Sequence, residues 1–290
     1  MMKFLLLGGG GREHAIAHAL ANSPRTERVY VAPGNGGTAS GNERIVNVGL
    51  DMNDLLSIRT FAMENEIHLT LIGPEAPLAA GVVDLFQAAN LPCFGPTKAA
   101  AQLESSKAYA KDFMARWDIP TAAGQAFTDF DEALAYLRQV PWKPVLKASG
   151  LAAGKGVILP DTEEAAETAL REMMLDGKFG SSGDRVVIEE RLDGYEISLL
   201  AVCDGRSMIT LPAARDHKRL LDGDHGPNTG GMGAVAPVLA TGEPLHATLS
   251  AILQKVVDCM AKEGTPYSGI LYGGFMITPT GPKVLEFNCR

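Results

Sequence analysis

The sequence predicts two regions of different class: an α/β region built on a parallel sheet, and an α+β region after it. Three observations carry this. Up to about residue 94, short apolar runs of strand character alternate with segments whose apolar residues recur at helical spacing. Beyond about residue 145, strand-like runs dominate and helical segments are few. The length, 290 residues, also exceeds the roughly 100–200 residues of one ordinary domain.

In the first region, residues 3–7, 29–32, 45–48, 68–72 and 92–94 read as strands, and 12–21, 53–65 and 77–89 as helices. Such alternation gives a parallel sheet covered on both faces, a Rossmann-like layout. Residues 94–117, "FGPTKAAAQLESSKAYAKDFMARW", are rich in helix formers and lead into the second region. There, 145–147, 156–159, 186–190, 197–203 and 207–211 read as strands. "DTEEAAETALREMM" signals a helix, with Asp161 expected to cap its first turn and Glu164 at capping-box distance. A helix is expected at 243–264. The last strands, 271–277 and 283–288, are joined by a turn around Gly281-Pro282.

Composition narrows the function. Hydrophobic content is 46% and charged content 21%, ordinary for a soluble globular protein. A net charge of −8 argues against nucleic acid or an anionic membrane as the main partner, so any phosphate site must be local. The opening "MMKFLLLGGGG" lacks the apolar length of a signal peptide, and no stretch approaches the roughly 20 apolar residues of a membrane span. Cys93, Cys203, Cys259 and Cys289 form no CxxC pair and read as reduced thiols of a cytoplasmic protein.

The opening glycines, "LLLGGGGREHA", fit a dinucleotide fingerprint only in part. Counting from Gly8 or from Gly9, the third glycine of G-x-G-x-x-G is replaced by Glu13 or His14. No acidic residue follows the second strand; "VAPGNGG" stands there instead, which disfavours an NAD-dependent oxidoreductase. What remains is a general anion site, with backbone N–H groups at a helix start and Arg12 adding charge. The loops "GGGGRE", "PGNGGT" and "GPEAPL" all fall at the carboxyl edge of the predicted sheet, where such folds bind ligands. Glu75 is placed to accept hydrogen bonds from sugar hydroxyls. His14 and His18, four apart on one helix, lack the Glu that a metalloprotease helix needs after its first His, and read as helix-surface histidines.

"KASGLAAGKGV", residues 147–157, is not a P-loop. Gly150 and Gly154 enclose three residues instead of four, and Gly156 stands where Ser or Thr is required. Strand, flexible loop and second strand fit better, with Lys147 aiming a point charge at a phosphate and the loop folding over it. "VVIEERLDGYE" reads as a strand breaking into a carboxylate-rich turn. In "VLEFNCR", period-two alternation puts Val284, Glu286 and Asn288 on one face; a carboxylate and an amide oxygen two apart suit Mg²⁺.

A lysine on a strand, a glycine loop, a carboxylate-rich hinge and a terminal E-x-N strand, in that order, resemble the ATP-grasp superfamily. "GGREHA", "APGNGGT", "GPEAPL", "AAGKGV", "DHKR", "GPNTGGMGA" and "LEFNCR" together resemble the phosphoribosylamine–glycine ligase family, across essentially the whole chain. The resemblance implies a Rossmann-like domain over 1–103, a helical linker over 104–122, a small mobile lid subdomain over 123–191 and a catalytic subdomain over 192–290. It implies a monomeric ligase that joins glycine to 5-phosphoribosylamine with ATP through an acyl phosphate, using Mg²⁺ or Mn²⁺. Lys107 and Lys147 would contact ATP phosphates beneath a lid of Ala153, Gly154, Lys155 and Gly156. Glu189, Glu190 and Leu192 would form the adenine hinge, chiefly through backbone groups, and Glu196 would hold the ribose. Glu286 and Asn288 would hold the metal. Asp216, His217 and Lys218, with Asn228, Thr229, Gly230 and Gly231, would line the acceptor site, and Arg290 would lie beside the reacting centre. Gly10, Gly11, Arg12, Glu13, Asn35, Gly36 and Glu75 would bind the phosphoribosylamine.

The sequence departs from the family pattern in three places. Gly8–Gly11 replace Gly-Asn-Gly-Gly, and Arg215 stands where glutamine is common. Family chains also continue past "EFNCR", so this chain is expected to lack a C-terminal domain. A nucleotide-binding fragment without turnover is the alternative reading.

Overall fold

Residues 4–7 are apolar without alternation, and such a strand is stable only when covered on both faces. They form the middle of β1 (Met2–Gly8), where Leu5 and Leu7 pack into one core and Phe4 and Leu6 into another. A computed structural model describes residues 1–151, 156–223, 225–238 and 242–290, and divides into two units. The first comprises residues 1–101, 267–270 and 289–290; the second holds the rest.

In the first unit, β1 is followed by α1 (Gly11–Ala21), β2 (Thr26–Pro33), β3 (Ile45–Asn47), α2 (Leu55–Glu64), β4 (Leu69–Ile72), α3 (Glu75–Ala80), α4 (Val82–Ala88) and β5 (Cys93–Phe94). The sheet order is β3-β2-β1-β4-β5, all parallel. The order reverses between β1 and β4, so the loops after them flank the point where open parallel sheets bind ligands. One expected helix, 77–89, is divided instead. Gly81 sits at φ +99°, a left-handed conformation that ends α3 and starts α4, and that glycine adopts without a Cβ clash.

The second unit holds two four-stranded sheets. In the first, Gly124–Phe127, Val186–Glu190, Pro144–Ala148 and Val157–Ile158 lie side by side, each neighbouring pair antiparallel. Helices Phe130–Gln139 and Glu163–Met174 cover one face, packing Ala133, Leu137, Ala169 and Leu170 onto Leu146, Val186 and Ile188. Alternation then directs Val145, Lys147 and Glu189 to the other face. Strand Gly124–Phe127 and helix Phe130–Gln139 were not anticipated from sequence. The other sheet runs Met208–Thr210, Tyr195–Asp204, Ser268–Thr278, Gly281–Cys289. Gly281 and Pro282 already belong to the last strand, and the turn falls at Pro279 and Thr280. Helices Gln102–Ser105, Lys107–Arg116 and Gly242–Lys262 complete the unit, with two short hairpins pairing Arg215–Asp216 with Ala234–Val235 and Arg219–Leu221 with His225–Asn228.

The cap of Glu163–Met174 differs from expectation. Thr162 caps it, its hydroxyl accepting from the Ala165 N–H at 3.1 Å, whereas Asp161 pairs with Arg191 at 2.8 Å. Thr162→Ala is therefore expected to cost about 1 kcal/mol in a denaturant melt. Asp161→Ala, which removes only an exposed ion pair, is expected to cost less.

All four cysteines are free. Burial pushes the Cys93 thiol up to about 12 and Cys203 to about 11, so neither is a nucleophilic thiolate at neutral pH. Among the described residues no helix is long and apolar enough to cross a membrane.

Candidate active site

Each unit presents a constellation of its own. In the first, the loops after β1, β2 and β4 meet at the carboxyl edge of the sheet. Glu13 is buried; its carboxylate accepts from the Gly10 N–H at 2.7 Å and pairs with Arg12 at 3.3 Å. Arg12 also donates to the Gly73 carbonyl at 3.0 Å, tying the loop after β1 to the loop after β4. The Asn35 amide donates to the Gly9 carbonyl at 3.1 Å and accepts from the Gly37 and Thr38 N–H groups at 2.7 and 3.0 Å, tying in the loop after β2. Glu13 and Asn35 thus hold loops in place rather than facing outward. Gly11 and Gly36 border open space, since a methyl at either would meet no atom within 4 Å. Glu75, the first residue of α3, pairs with Arg290 at 3.4 Å, so Arg290 groups with this unit.

In the second unit, a cleft of about 360 Å³ opens between the two sheets, within the range of small-molecule sites. Its apolar wall combines Val145, Val157 and Leu159 with Leu192, Met276 and Leu285, a surface suited to a flat ring. Its polar groups are Lys147, Glu189, Glu190, Arg191, Glu196, Asp216, Lys218, Thr229, Gly230 and Glu286, all but Arg191 singled out from sequence. The Lys218 ammonium bonds Glu196 at 2.8 Å. Burial works against its charge, but the hydrogen bond and charge of Glu196, with Tyr272 and Glu286 nearby, together outweigh burial and raise the Lys218 pKa above its ordinary value. Thr229 donates to the Lys218 carbonyl at 2.9 Å, which fixes the loop bearing Gly230 and Gly231.

Lys107, outside the cleft lining, donates to the Gly150 carbonyl at 3.1 Å. Burial lowers its pKa, while Glu286 opposes the shift and Lys147 adds to it, so these three groups share one electrostatic neighbourhood. Glu286 accepts no hydrogen bond among the described residues, and Asn288 stands two positions on along the same strand face. An uncommitted carboxylate with an amide oxygen beside it fits a hard divalent cation that takes few protein ligands.

Other expected residues fall elsewhere. Segment 215–219 alternates: Asp216 and Lys218 line this cleft, while Arg215, His217 and Arg219 line a second, open one of about 420 Å³. His217 is therefore separated from the two residues expected to work with it. Asn228 pairs with Arg219 across the hairpin. Gly156 accepts from the Ala148 N–H at 2.8 Å where the glycine loop rejoins the sheet. Ala153, Gly154 and Lys155 lie outside the described residues. Glu189, expected to serve an adenine hinge chiefly through its backbone, has its side chain clamped by Lys147 at 2.5 Å and by Lys111 at 2.8 Å. Lys111 was missed from sequence, although its spacing of four from Lys107 in "KAYAK" puts both on one helix face.

A family model described as phosphoribosylglycinamide synthetase, N domain, matches residues 2–104, and one described as phosphoribosylglycinamide synthetase, ATP-grasp (A) domain, matches residues 105–290. The chain belongs to the phosphoribosylglycinamide synthetase family. The phosphoribosylamine–glycine ligase of Allochromatium vinosum is 54% identical over all of this chain, which spans 68% of that protein. Among solved structures, the phosphoribosylamine–glycine ligase of Thermotoga maritima matches with a TM-score of 0.85 and 33% identity, covering 100% of this chain and 69% of that one. The biotin carboxylase domain of 2-oxoglutarate carboxylase from Hydrogenobacter thermophilus, solved with MgADP, shares the fold at 19% identity and a TM-score of 0.74, covering 99% of this chain and 64% of that one. Phosphoribosylglycinamide synthetase membership accounts for both halves of the molecule: a Rossmann-like first unit, and an ATP-grasp fold whose two sheets enclose the cleft.

Proposed function

We propose that this chain joins glycine to 5-phosphoribosylamine at the expense of ATP, giving glycinamide ribonucleotide, ADP and phosphate. The observation that carries the reading is the single cleft in which Lys147, Lys218, Glu196 and Glu286 surround aliphatic walls drawn from two sheets. Adenine lies among Val145, Val157, Leu159, Leu192, Met276 and Leu285, hydrogen-bonded by the backbone near Glu190 and Leu192. Glu196 accepts from the ribose hydroxyls. Lys147 and Lys107 meet the phosphates, Lys147 with the N–H not engaged by Glu189 or the Leu285 carbonyl.

A glycine carboxylate oxygen attacks the γ-phosphorus, and the bond to the β–γ bridging oxygen breaks with release of ADP. The acyl phosphate then accepts the phosphoribosylamine nitrogen at its acyl carbon. The C–O bond to phosphate breaks, the nitrogen loses a proton, and phosphate departs. The protein contributes positioning and charge complementarity, because the phosphoryl group itself carries the activation. Lys218 and the backbone around Thr229–Gly231 stand where negative charge grows on the acyl oxygen, with Asp216 beside them. Glu286 and Asn288 would hold Mg²⁺ or Mn²⁺, which when bound neutralises phosphate charge. The loops of the first unit, through the Gly11 and Gly36 backbone, Arg12 and Glu75, take the phosphoribosylamine.

The test is ADP release with Mg·ATP and glycine, with and without freshly generated phosphoribosylamine. Release that requires both substrates is the expected result. Intact ATP binding without any release would replace ligation by nucleotide binding alone.

A further inference from the structure

Two buried charged side chains, Glu189 and Lys111, and the half-buried Lys147 lie together at the cleft. Glu189 is 5% exposed and Lys111 3%. Glu189 Oε2 faces the Lys111 ammonium at 2.8 Å, and Oε1 faces the Lys147 ammonium at 2.5 Å. Only Lys147 and Glu189 line the cleft. Lys111 lies behind them on helix Lys107–Arg116.

Lys111 is held as an ammonium. Besides Glu189 it meets the Ala122 carbonyl at 2.6 Å and the Thr121 hydroxyl oxygen at 3.4 Å. Three acceptors match the three N–H donors of an ammonium, whereas a neutral amine has two. Burial lowers its pKa and Glu189 opposes that shift. At Glu189 burial opposes ionisation, but the two ammonium groups outweigh it and hold the carboxyl below its usual range.

The charges of the cluster therefore sum to +1. Lys111 has all its donors engaged inside the protein. Lys147 uses two, on Glu189 and on the Leu285 carbonyl at 3.0 Å, and faces the cleft. We propose that Lys111 is a positioning residue for the nucleotide. It shares Glu189 with Lys147, so the surplus positive charge falls at the cleft wall, and it anchors the carboxylate that fixes the Lys147 ammonium. Without Lys111, Glu189 and Lys147 form a neutral pair, and the cleft loses attraction for phosphate while its ring-binding wall is untouched. The proposal rests on Lys147 meeting nucleotide phosphates.

This gives a signature that general structural damage would not produce: the loss depends on how many phosphates the ligand carries. Binding of adenosine, ADP and ATP, the latter two with Mg²⁺, is measured on wild type, Lys111→Met, Lys111→Arg and Lys147→Met. Lys111→Met is expected to weaken ADP and ATP roughly tenfold, to leave adenosine unchanged, and to flatten the salt dependence of ATP binding. Lys111→Arg is expected to restore most of the loss. Should Lys111→Met fail to fold, Lys111→Gln, which keeps donors toward Ala122 and Thr121, carries the same comparison. Equal weakening of all three ligands, or unchanged ADP and ATP affinity, would overturn the positioning role. Lys147→Met separates the two readings: if it weakens ADP while Lys111→Met does not, only the role of Lys111 fails. If it too leaves ADP unaffected, the assignment of Lys147 to phosphate fails first.

Discussion

Glu189→Gln is expected to destabilise the second unit by about 3–5 kcal/mol, the usual cost of removing one partner from a buried charge cluster. Its effect is large because two ammonium groups lose their common counter-ion at once, in a region where Glu189 and Lys111 are almost fully buried. The variant should also respond differently to pH. The folded pKa of Glu189 is depressed, so its stabilisation is present above the unfolded carboxylate's value of about 4.3 and is lost as pH falls through the lower, folded value. The Gln variant lacks that part of the acid sensitivity. Its stability should instead climb toward alkaline pH, because Lys111, already lowered by burial, is relieved of an unpaired charge when it gives up its proton. Denaturant melts from pH 4 to 10 check both limbs. A variant as stable as wild type at pH 7 would mean that water or rearrangement replaces the carboxylate.

Glu286→Ala is expected to reduce ADP release roughly a hundredfold or more, since a bound metal supplies several kcal/mol of charge stabilisation in phosphoryl transfer. It should also abolish the tightening of nucleotide binding by Mg²⁺, while binding of metal-free ATP changes far less. The Lys107 ammonium loses the carboxylate that now supports its charge, so part of the defect falls on phosphate contact. Calorimetry of ATP with and without Mg²⁺ separates these contributions. The same Mg²⁺ dependence in variant and wild type would remove Glu286 from the metal site.

Much of this arrangement was legible in residue order because the chemistry sits on regular elements. Period-two alternation in "VLEFNCR" put Glu286 and Asn288 on one strand face, and the strand–helix alternation of the first hundred residues gave the parallel sheet. Gly81 was not recognised as a break because the apolar spacing of 77–89 runs straight through it; only its φ of +99° ends the helix. Helix Phe130–Gln139 did carry signals, with Asp129 as cap and Ala133 and Leu137 at helical spacing. The burial of Lys111 was hidden for another reason. A lysine on an amphipathic helix reads as solvated, and only the fold places Glu189, 78 positions later, against it. The inward turn of Asn35 and Glu13 was equally hidden, since a polar residue in a glycine-rich loop gives no sign of whether it faces a ligand or a neighbouring loop.

The alternating segment 215–219 constrains how this molecule can change over generations. Because Asp216 and Lys218 face one recess while Arg215, His217 and Arg219 face another, substitutions at odd positions can retune one recess without disturbing its neighbour. Adding or removing a single residue there would exchange the two sets wholesale. Natural variation in this segment should therefore be almost fixed in length.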